Sequence, residues 1–403
     1  MRDGWELTPL GDVLEPVRRP VSVETLSEVR FAGVRWYAEG AYERATESAS
    51  AVKTKTLYEV KNGDVIYNRM WATKASFGVA GPDVDGCLVT NDFPTFLPIG
   101  TSAAYVRLIF QWRPFQATAA ASALGTTERR RLHERDFAKI SVPLPPLDEQ
   151  RRIVDLIGAL DDTIEAEMAV LELLRALRPR FLTQAFGEGD QTSVSALISR
   201  IEAGKSPKAD GRPPNDGEEG VLKVSAVHPW GFRPTESKVL DPEYTGFQDS
   251  HRVRGGDVLI TRANTADLVG VSCLVEEDHP NLYICDKTLR LVPADCVEPD
   301  ALVAALNSPE VRRQISDKGT GSSASMKNIT QADIRSIQLT WPSDRSEQGR
   351  IGATDRAFLE SARRVSDSLT RLRSLRSNLL TALLSGEHEI PSSYDEVAEE
   401  LAA

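Results

Sequence analysis

Apolar positions along this chain obey two periods, and each period occurs twice. Over residues 1–147 and again over 191–343, short β-branched and aromatic runs are cut by Gly, Pro, Asn and Asp, the pattern of strands joined by turns. Val65-Ile66-Tyr67, Gly86-Cys87-Leu88-Val89-Thr90, Val258-Leu259-Ile260 and Leu289-Arg290-Leu291-Val292 are the clearest predicted strands. Helices are predicted over 105–116 and 299–307, so each region reads as a compact α+β domain.

The second period is seven. Ile351, Phe358, Val365, Leu372 and Leu379 form one stripe, and Ile153, Leu160, Glu167, Leu174 and Phe181, flanked by Ile157, Ile164 and Leu171, form another with a single charged member. This interval keeps one seam of a helix turned towards a partner helix. Burying each large apolar side chain is worth ~1.5–3 kcal/mol, so neither stripe is left in water. The simplest partner for each is the other, in an antiparallel pair; packing of each on its own head is the alternative. Pro179 predicts a kink or break near Arg178, because proline inside a helix costs ~3 kcal/mol. Prolines 143, 145 and 146 ahead of Asp148-Glu149 mark a helix start, with acid near its positive end.

Both textures belong to a duplicated unit. Gly63-Asp64-Val65-Ile66 with Arg69 recurs as Gly256-Asp257-Val258-Leu259 with Arg262, an offset of 193 residues (256 against 63). The same offset carries Phe31 and Val34 onto Val224 and Val227. Glu149-Gln150 with Ile153, and Leu174-Arg175-Ala176-Leu177-Arg178, recur as Glu347-Gln348 with Ile351, and Leu372-Arg373-Ser374-Leu375-Arg376, at an offset of 198 (347 against 149). The expected domains are 1–147 and 191–343, with helical regions 148–190 and 344–403.

Composition narrows the function. At 403 residues the chain is too long for one core. No run of eighteen apolar residues and no apolar signal core follow Met1, so a cytoplasmic protein is expected. Cys87, Cys273, Cys285 and Cys296 form no C-x-x-C pair and lack histidines at ligand spacing, which supports neither a disulfide framework nor a zinc site. A net charge of −11 argues against a protein that coats nucleic acid indiscriminately. Any DNA contact must be local. Catalytic motifs are missing too: Gly204-Lys205-Ser206 ends like a phosphate loop, but Ser199 stands where its first glycine belongs. Glu59-Val60-Lys61 has the E-x-K form of a nuclease metal site without an upstream Pro-Asp pair, and Asn281-Leu282-Tyr283-Ile284 lacks the prolines of a methyltransferase tetrapeptide.

Pro143-Leu144-Pro145-Pro146-Leu147-Asp148-Glu149-Gln150-Arg151-Arg152-Ile153, leading from a recognition-sized domain into a long helix and loosely repeated in the second half, resembles the specificity subunit of Type I restriction-modification systems. That resemblance implies an α+β fold of two similar target recognition domains separated by two long helices that form an antiparallel coiled coil. It further implies a non-catalytic, sequence-specific DNA-binding subunit that reads a bipartite target in double-stranded DNA. Its expected partners are two methyltransferase subunits, with restriction subunits as a further possibility. S-adenosylmethionine, ATP and magnesium would belong to those partners, with no cofactor in this chain. A helix over 153–186 would span ~50 Å at ~1.5 Å per residue, or ~15 base pairs at ~3.4 Å each. The rival readings are a protein-interaction scaffold with degenerate domains and an enzyme with a cryptic nuclease at Glu59.

Base readout needs side chains that donate and accept in pairs, Arg to guanine and Asn to adenine. Loops after strands supply them. Asn68, Arg69, Trp71 and Lys74 follow the first Gly-Asp-Val-Ile strand, and Thr261, Arg262 and Asn264 follow the second. The alternative for Arg69 and Arg262 is an ion pair with Asp64 or Asp257 that braces the turn. Arg35, Trp36 and Tyr37, with His228 and Trp230 at the matching place of the second copy, mix charge and aromatics, although core packing accounts for the tryptophans at least as well. Arg129, Arg130 and Arg131 form the densest basic cluster and a candidate phosphate rail, or else a solvated face. Lys205 and Lys208 form a second basic loop, Lys318, Ser322 and Lys327 a third, and Asn91 and Lys287 are further candidates.

Overall fold

Two long helices, Leu147–Ala185 and Arg345–Leu384, run through a chain that is otherwise built of short strands and helices. The computed structural model describes residues 4–125, 130–323, 326–391 and 393–395, the side chains of Ser322 and Ser323 excepted. Its two compact units are residues 1–165 with 370–403, and residues 166–369. Each unit therefore takes in the start of one long helix and the end of the other, and the helices do not form a separate body.

In the first unit a four-stranded antiparallel sheet has the order Leu14–Val17, Thr95–Pro98, Val65–Tyr67, Phe77–Val79. Its inner face carries Tyr67, Phe77 and Phe96, which pack against Phe110, Phe115 and Phe137 of the helices; all six are nearly or fully buried, with Tyr67 and Phe137 stacked at 4.6 Å between ring centroids. Helices Ala103–Gln111 and Arg113–Ser122 cover that face. They replace the single helix expected over 105–116. Pro114 cannot donate to the preceding turn, so Trp112 adopts an extended backbone and a new helix starts with the proline in its first turn. A five-stranded sheet with Glu28–Val34 and Ala41–Ser48 at one edge completes the unit.

The second unit repeats the four-stranded sheet in the same order: Ile198–Ala203, Thr288–Pro293, Val258–Thr261, Ser272–Leu274. Pro299–Leu306 and Pro309–Lys318 take the helical places. In both units an opening strand pairs with the strand just ahead of a long helix, Glu6–Pro9 with Ser141–Leu144 and Asp190–Ser193 with Gln338–Trp341. Glu149-Gln150 and Glu347-Gln348 recur for a visible reason. Gln150 and Gln348 are buried, and each donates Nε2 to the carbonyl of a preceding proline, Pro145 or Pro342, at 2.9 Å. These bonds lock the turn into each helix.

The long helices pair antiparallel inside each unit. In the second unit Phe181 meets Phe358 at 5.6 Å and Ser368 Oγ donates to Glu167 at 3.1 Å, which gives the charged member of the heptad stripe a partner. Arg178 Nε and Nη2 donate to the two oxygens of Asp355 at 2.7 and 2.9 Å, with both side chains buried. In the first unit Arg376 pairs with Asp161 and donates to Gln111 Oε1 at 2.7 Å. The break expected at Pro179 does not occur: the helix is continuous to Ala185. The Arg178–Asp355 pair on one side and buried Leu182 on the other hold the turn that lacks the proline's hydrogen bond.

Candidate nucleic-acid interface

The recurring Gly-Asp turn sets the geometry. Gly63 and Gly256 hold φ of 86° and 88°, a left-handed conformation that glycine adopts without penalty. The following carboxylate folds back, so that Asp64 accepts from the Lys61 amide at 2.8 Å and Asp257 from the Arg254 amide at 2.9 Å. Neither binds the arginine expected from sequence. Asp64, wholly buried, is paired with Arg19. Asp257 is paired with Arg290, and burial raises its carboxyl above the usual range even against that guanidinium.

The strands these turns launch end at Arg69 and Arg262, where three further segments converge in each unit. The Arg69 amide donates to Asp92 O at 3.0 Å, and the Arg262 amide to Lys287 O at 2.8 Å. The returning chain after the second small helix donates from Leu132 to Arg69 O at 3.0 Å, and from Ile329 to Arg262 O at 2.9 Å. Finally, the residues after the first sheet strand reach the same turn: Arg18 Nη1 donates to Asn91 Oδ1 at 2.9 Å, and the Ser206 hydroxyl bonds to Asp286. Groups scattered along the sequence thus form one surface per unit. In the first it holds Asn68, Arg69, Asn91, Arg130 and Arg131; in the second, Lys205, Arg262, Asn264, Lys287 and Lys327. Lys318 closes the helix that leads into the Thr320–Ser323 strand of the second surface.

The equivalent arginines are used differently. Arg69 is mostly buried and paired with Glu134, which also accepts from Arg18 at 2.9 Å. It braces the surface instead of projecting from it. Asn68 caps the short helix after the strand by accepting from the Met70 amide at 2.9 Å. Arg131 lies 3.4 Å from Asp92 and 3.7 Å from the Met70 sulfur. In the second unit Arg262 and Lys287 are exposed and have no ion pair among the described residues. Lys327 stands opposite Asn264 in a three-stranded sheet and donates to Gly321 O at 2.9 Å.

Several expected residues stand elsewhere. Thr261 is buried, its hydroxyl donating to Leu268 O at 2.7 Å, so it cannot reach a base. His228 lies on a small hairpin whose Pro229 carbonyl accepts from Arg178 at 2.6 Å and whose Trp230 ring sits 5.1 Å from that guanidinium. Partial burial, with Arg233 and Arg175 nearby, pushes the His228 imidazole down to about 4, and the ring is neutral at pH 7. Lys208 lines a separate cleft of about 800 Å³ with Arg212, Glu218 and Asp241. Arg129 lies outside the described residues, as does the side chain of Ser322. Lys205 Nζ donates to Gly246 O at 2.7 Å, and Lys61 Nζ neutralises Glu59 at 2.6 Å, so neither the phosphate-loop nor the nuclease pattern presents an open group.

The sequence names Trp36, Tyr37 and Trp71, but not the backbone conformation that gathers them. Tyr37, Ala38 and Ala75 all have left-handed backbones, at φ of 59°, 57° and 52°. Each costs ~1–2 kcal/mol in a residue with a Cβ. The Ala38 amide donates to Ala75 O at 2.7 Å, and the buried Ser76 hydroxyl donates to Val34 O at 2.8 Å, pinning the turn from both sides. Trp36 leans on Trp71 at 5.3 Å and meets Tyr37 edge-on at 6.5 Å. Yet Trp36 is 44% and Tyr37 66% exposed. Arg35, over the Tyr42 ring at 4.7 Å, and exposed Lys74 flank the group.

The structure is thus an α+β unit that occurs twice, with basic strand-end loops on one surface of each copy. Residues 2–175 match the Type I restriction modification DNA specificity domain. The chain is 33% identical over 151 residues to the EcoEI specificity subunit of Escherichia coli, a match covering 37% of this chain and 25% of the relative. It is 23% identical over 277 residues to the EcoKI specificity subunit of Escherichia coli K12, covering 62% and 58%. The matched segments thus span a quarter and somewhat over half of those relatives' own lengths. The fold is also that of the S subunit from M. genitalium, with a TM-score of 0.60 at 12% identity over 96% of this chain and 97% of that one. Among the described residues no helix is long and apolar enough to cross a membrane, and no cluster of His, Cys, Asp and Glu is placed to hold a metal.

Proposed function

We propose that the whole chain is the DNA-specificity subunit of a Type I restriction-modification complex. Each unit binds one half of a bipartite duplex target, and the chain brings methyltransferase and restriction subunits to that DNA without chemistry of its own. S-adenosylmethionine, ATP and magnesium are bound by those partners. The observation that carries this reading is the recurrence, in a chain with a specificity domain over residues 2–175, of the same sheet with the same four segments converging at Arg69 and at Arg262. The second surface supplies cations for phosphates, and Arg262 with Asn264 supplies the paired donors and acceptors that a base edge requires.

The test is sequencing of methylated positions in DNA from cells expressing the chain with its methyltransferase partner. The expected result is a split motif. Arg262→Ala should relax one half of that motif, whereas Lys287→Ala should leave the motif intact and lower the salt slope of binding by about one. Methylation without a split motif, or unchanged behaviour in both variants, would overturn the reading.

A further inference from the structure

We infer that Tyr37, backed by Trp36 and Trp71, is an aromatic wedge that stacks against the open face of a base in the half-site bound by the first unit. The inference rests on the reading of the chain as a DNA-recognition subunit and goes beyond it, since it assigns one head a mode of contact that the other lacks. Three observations carry it. First, the turn is strained but pinned: the left-handed backbones at Tyr37 and Ala38 are held by the Ala38–Ala75 and Ser76–Val34 hydrogen bonds. Second, the turn buries Ala38 and Ala75 but not its rings: Tyr37 is the most exposed large hydrophobic side chain among the described residues, and Trp36 is nearly half exposed. A turn forced into this shape while its largest ring stays in water keeps that ring projecting. Third, exposed cations adjoin the turn along the chain: Arg35, over the Tyr42 ring, precedes Trp36, and Lys74 precedes Ala75, whose carbonyl accepts from the Ala38 amide, with Glu39 at the turn's exit.

A projecting ring with cations adjoining its turn fits an unstacked base flanked by phosphates. Apolar wedges inserted at a base step partly unstack it and open the duplex, and chemistry on a base requires that base to leave the stack. The ring is joined to the strand-end surface through Trp36, which leans on Trp71 of the short helix that Asn68 caps and Arg69 begins. In the second unit the ring at the matching sequence position, Trp230, is turned onto Arg178 and is not presented.

The geometry supplies a clean test. Glycine accepts φ near 59° without strain, so Tyr37→Gly removes the ring while relieving the backbone. The chain, assembled with its methyltransferase partner, is titrated onto the duplex motif obtained by methylation sequencing, with 2-aminopurine placed in turn at each position of the first unit's half-site. Tyr37→Gly should bind roughly five- to hundredfold more weakly, the value of one base–aromatic stack, and lose the 2-aminopurine signal at one position. Its thermal midpoint should stay at or above that of the parent. Tyr37→Phe should behave as the parent does. A Tyr37→Gly chain with the parent's affinity and signal, or a Tyr37→Phe chain as impaired as Tyr37→Gly, overturns the wedge alone. A parent chain that prefers no duplex overturns the recognition reading, and the wedge with it.

Discussion

Asp355→Ala is the most demanding perturbation of the long-helix seam. Asp355 accepts two parallel bonds from Arg178, at 2.7 and 2.9 Å, and the two side chains are 3% and 6% exposed. Once the carboxylate is removed, the guanidinium keeps only the Pro229 carbonyl and the Trp230 face. A buried charge left without its partner costs about 3–5 kcal/mol, far more than the 0–1 kcal/mol of an exposed pair. Replacing both members at once, as Arg178→Met with Asp355→Leu, removes the buried charge along with its partner. That double variant should therefore recover to within about 1 kcal/mol of the parent or exceed it. Denaturant unfolding of the full chain, with hydrogen exchange to separate the units, reads both outcomes. Amides that open with the second unit should exchange roughly 150- to 5,000-fold faster in Asp355→Ala, the equivalent of that loss. A loss below about 1 kcal/mol, or a double variant as unstable as the single one, would refute the reasoning.

Two further outcomes follow from burial. The His228 imidazole is held down at about 4 against 6.5 for the unfolded chain. The unfolded state therefore binds the extra proton throughout the window between those values, and stability falls as pH drops from 6.5 towards 4. His228→Gln should flatten that part of the stability–pH curve, and an unchanged slope would contradict the assignment. Among the thiols, Cys87, Cys273 and Cys285 are buried, with Cys273 pushed up to about 12, whereas Cys296 is exposed. Iodoacetamide on the native chain should give a single adduct, at Cys296, by mass spectrometry. Rapid labelling at any of the other three would contradict the packing.

Much of the framework was legible because it is periodic. The seven-residue stripes, the strands at Val65–Tyr67 and Val258–Thr261, and the duplication itself can be read without coordinates. What escaped depends on partners distant in sequence. Arg178 and Asp355 lie 177 residues apart, and both occupy seam positions that a search for apolar residues passes over. The helix expected over 105–116 failed for a local reason that Pro114 could have supplied. At the candidate surface, Arg130 and Arg131 are neighbours in sequence, and a short hairpin keeps Lys327 close to the helix that ends at Lys318, so these positions stay together for local reasons. Burial of Thr261 and the diversion of His228 and Trp230 to Arg178 depend on packing from other elements.

The fate of the two equivalent arginines shows how one backbone frame can serve two uses. Leu132 and Ile329 make the same bond to Arg69 O and Arg262 O, and a short helix opens two residues later in each unit, at Glu134 and at Gln331. In the first copy that helix begins with a carboxylate, which draws Arg69 inward and holds Arg18 beside it. In the second copy Gln331 carries no charge, and Arg262 remains exposed without an ion pair among the described residues. The buried Asp of the Gly-Asp turn is equally indifferent to the source of its cation, taking Arg19 after the first strand in one copy and Arg290 from a neighbouring strand in the other. What persists between the copies is therefore the backbone geometry and the buried carboxylate. The side chains offered to a duplex diverge: a paired arginine beside an aromatic projection in one head, exposed cations in the other. The two surfaces diverge in this way without disturbing the sheet that positions them.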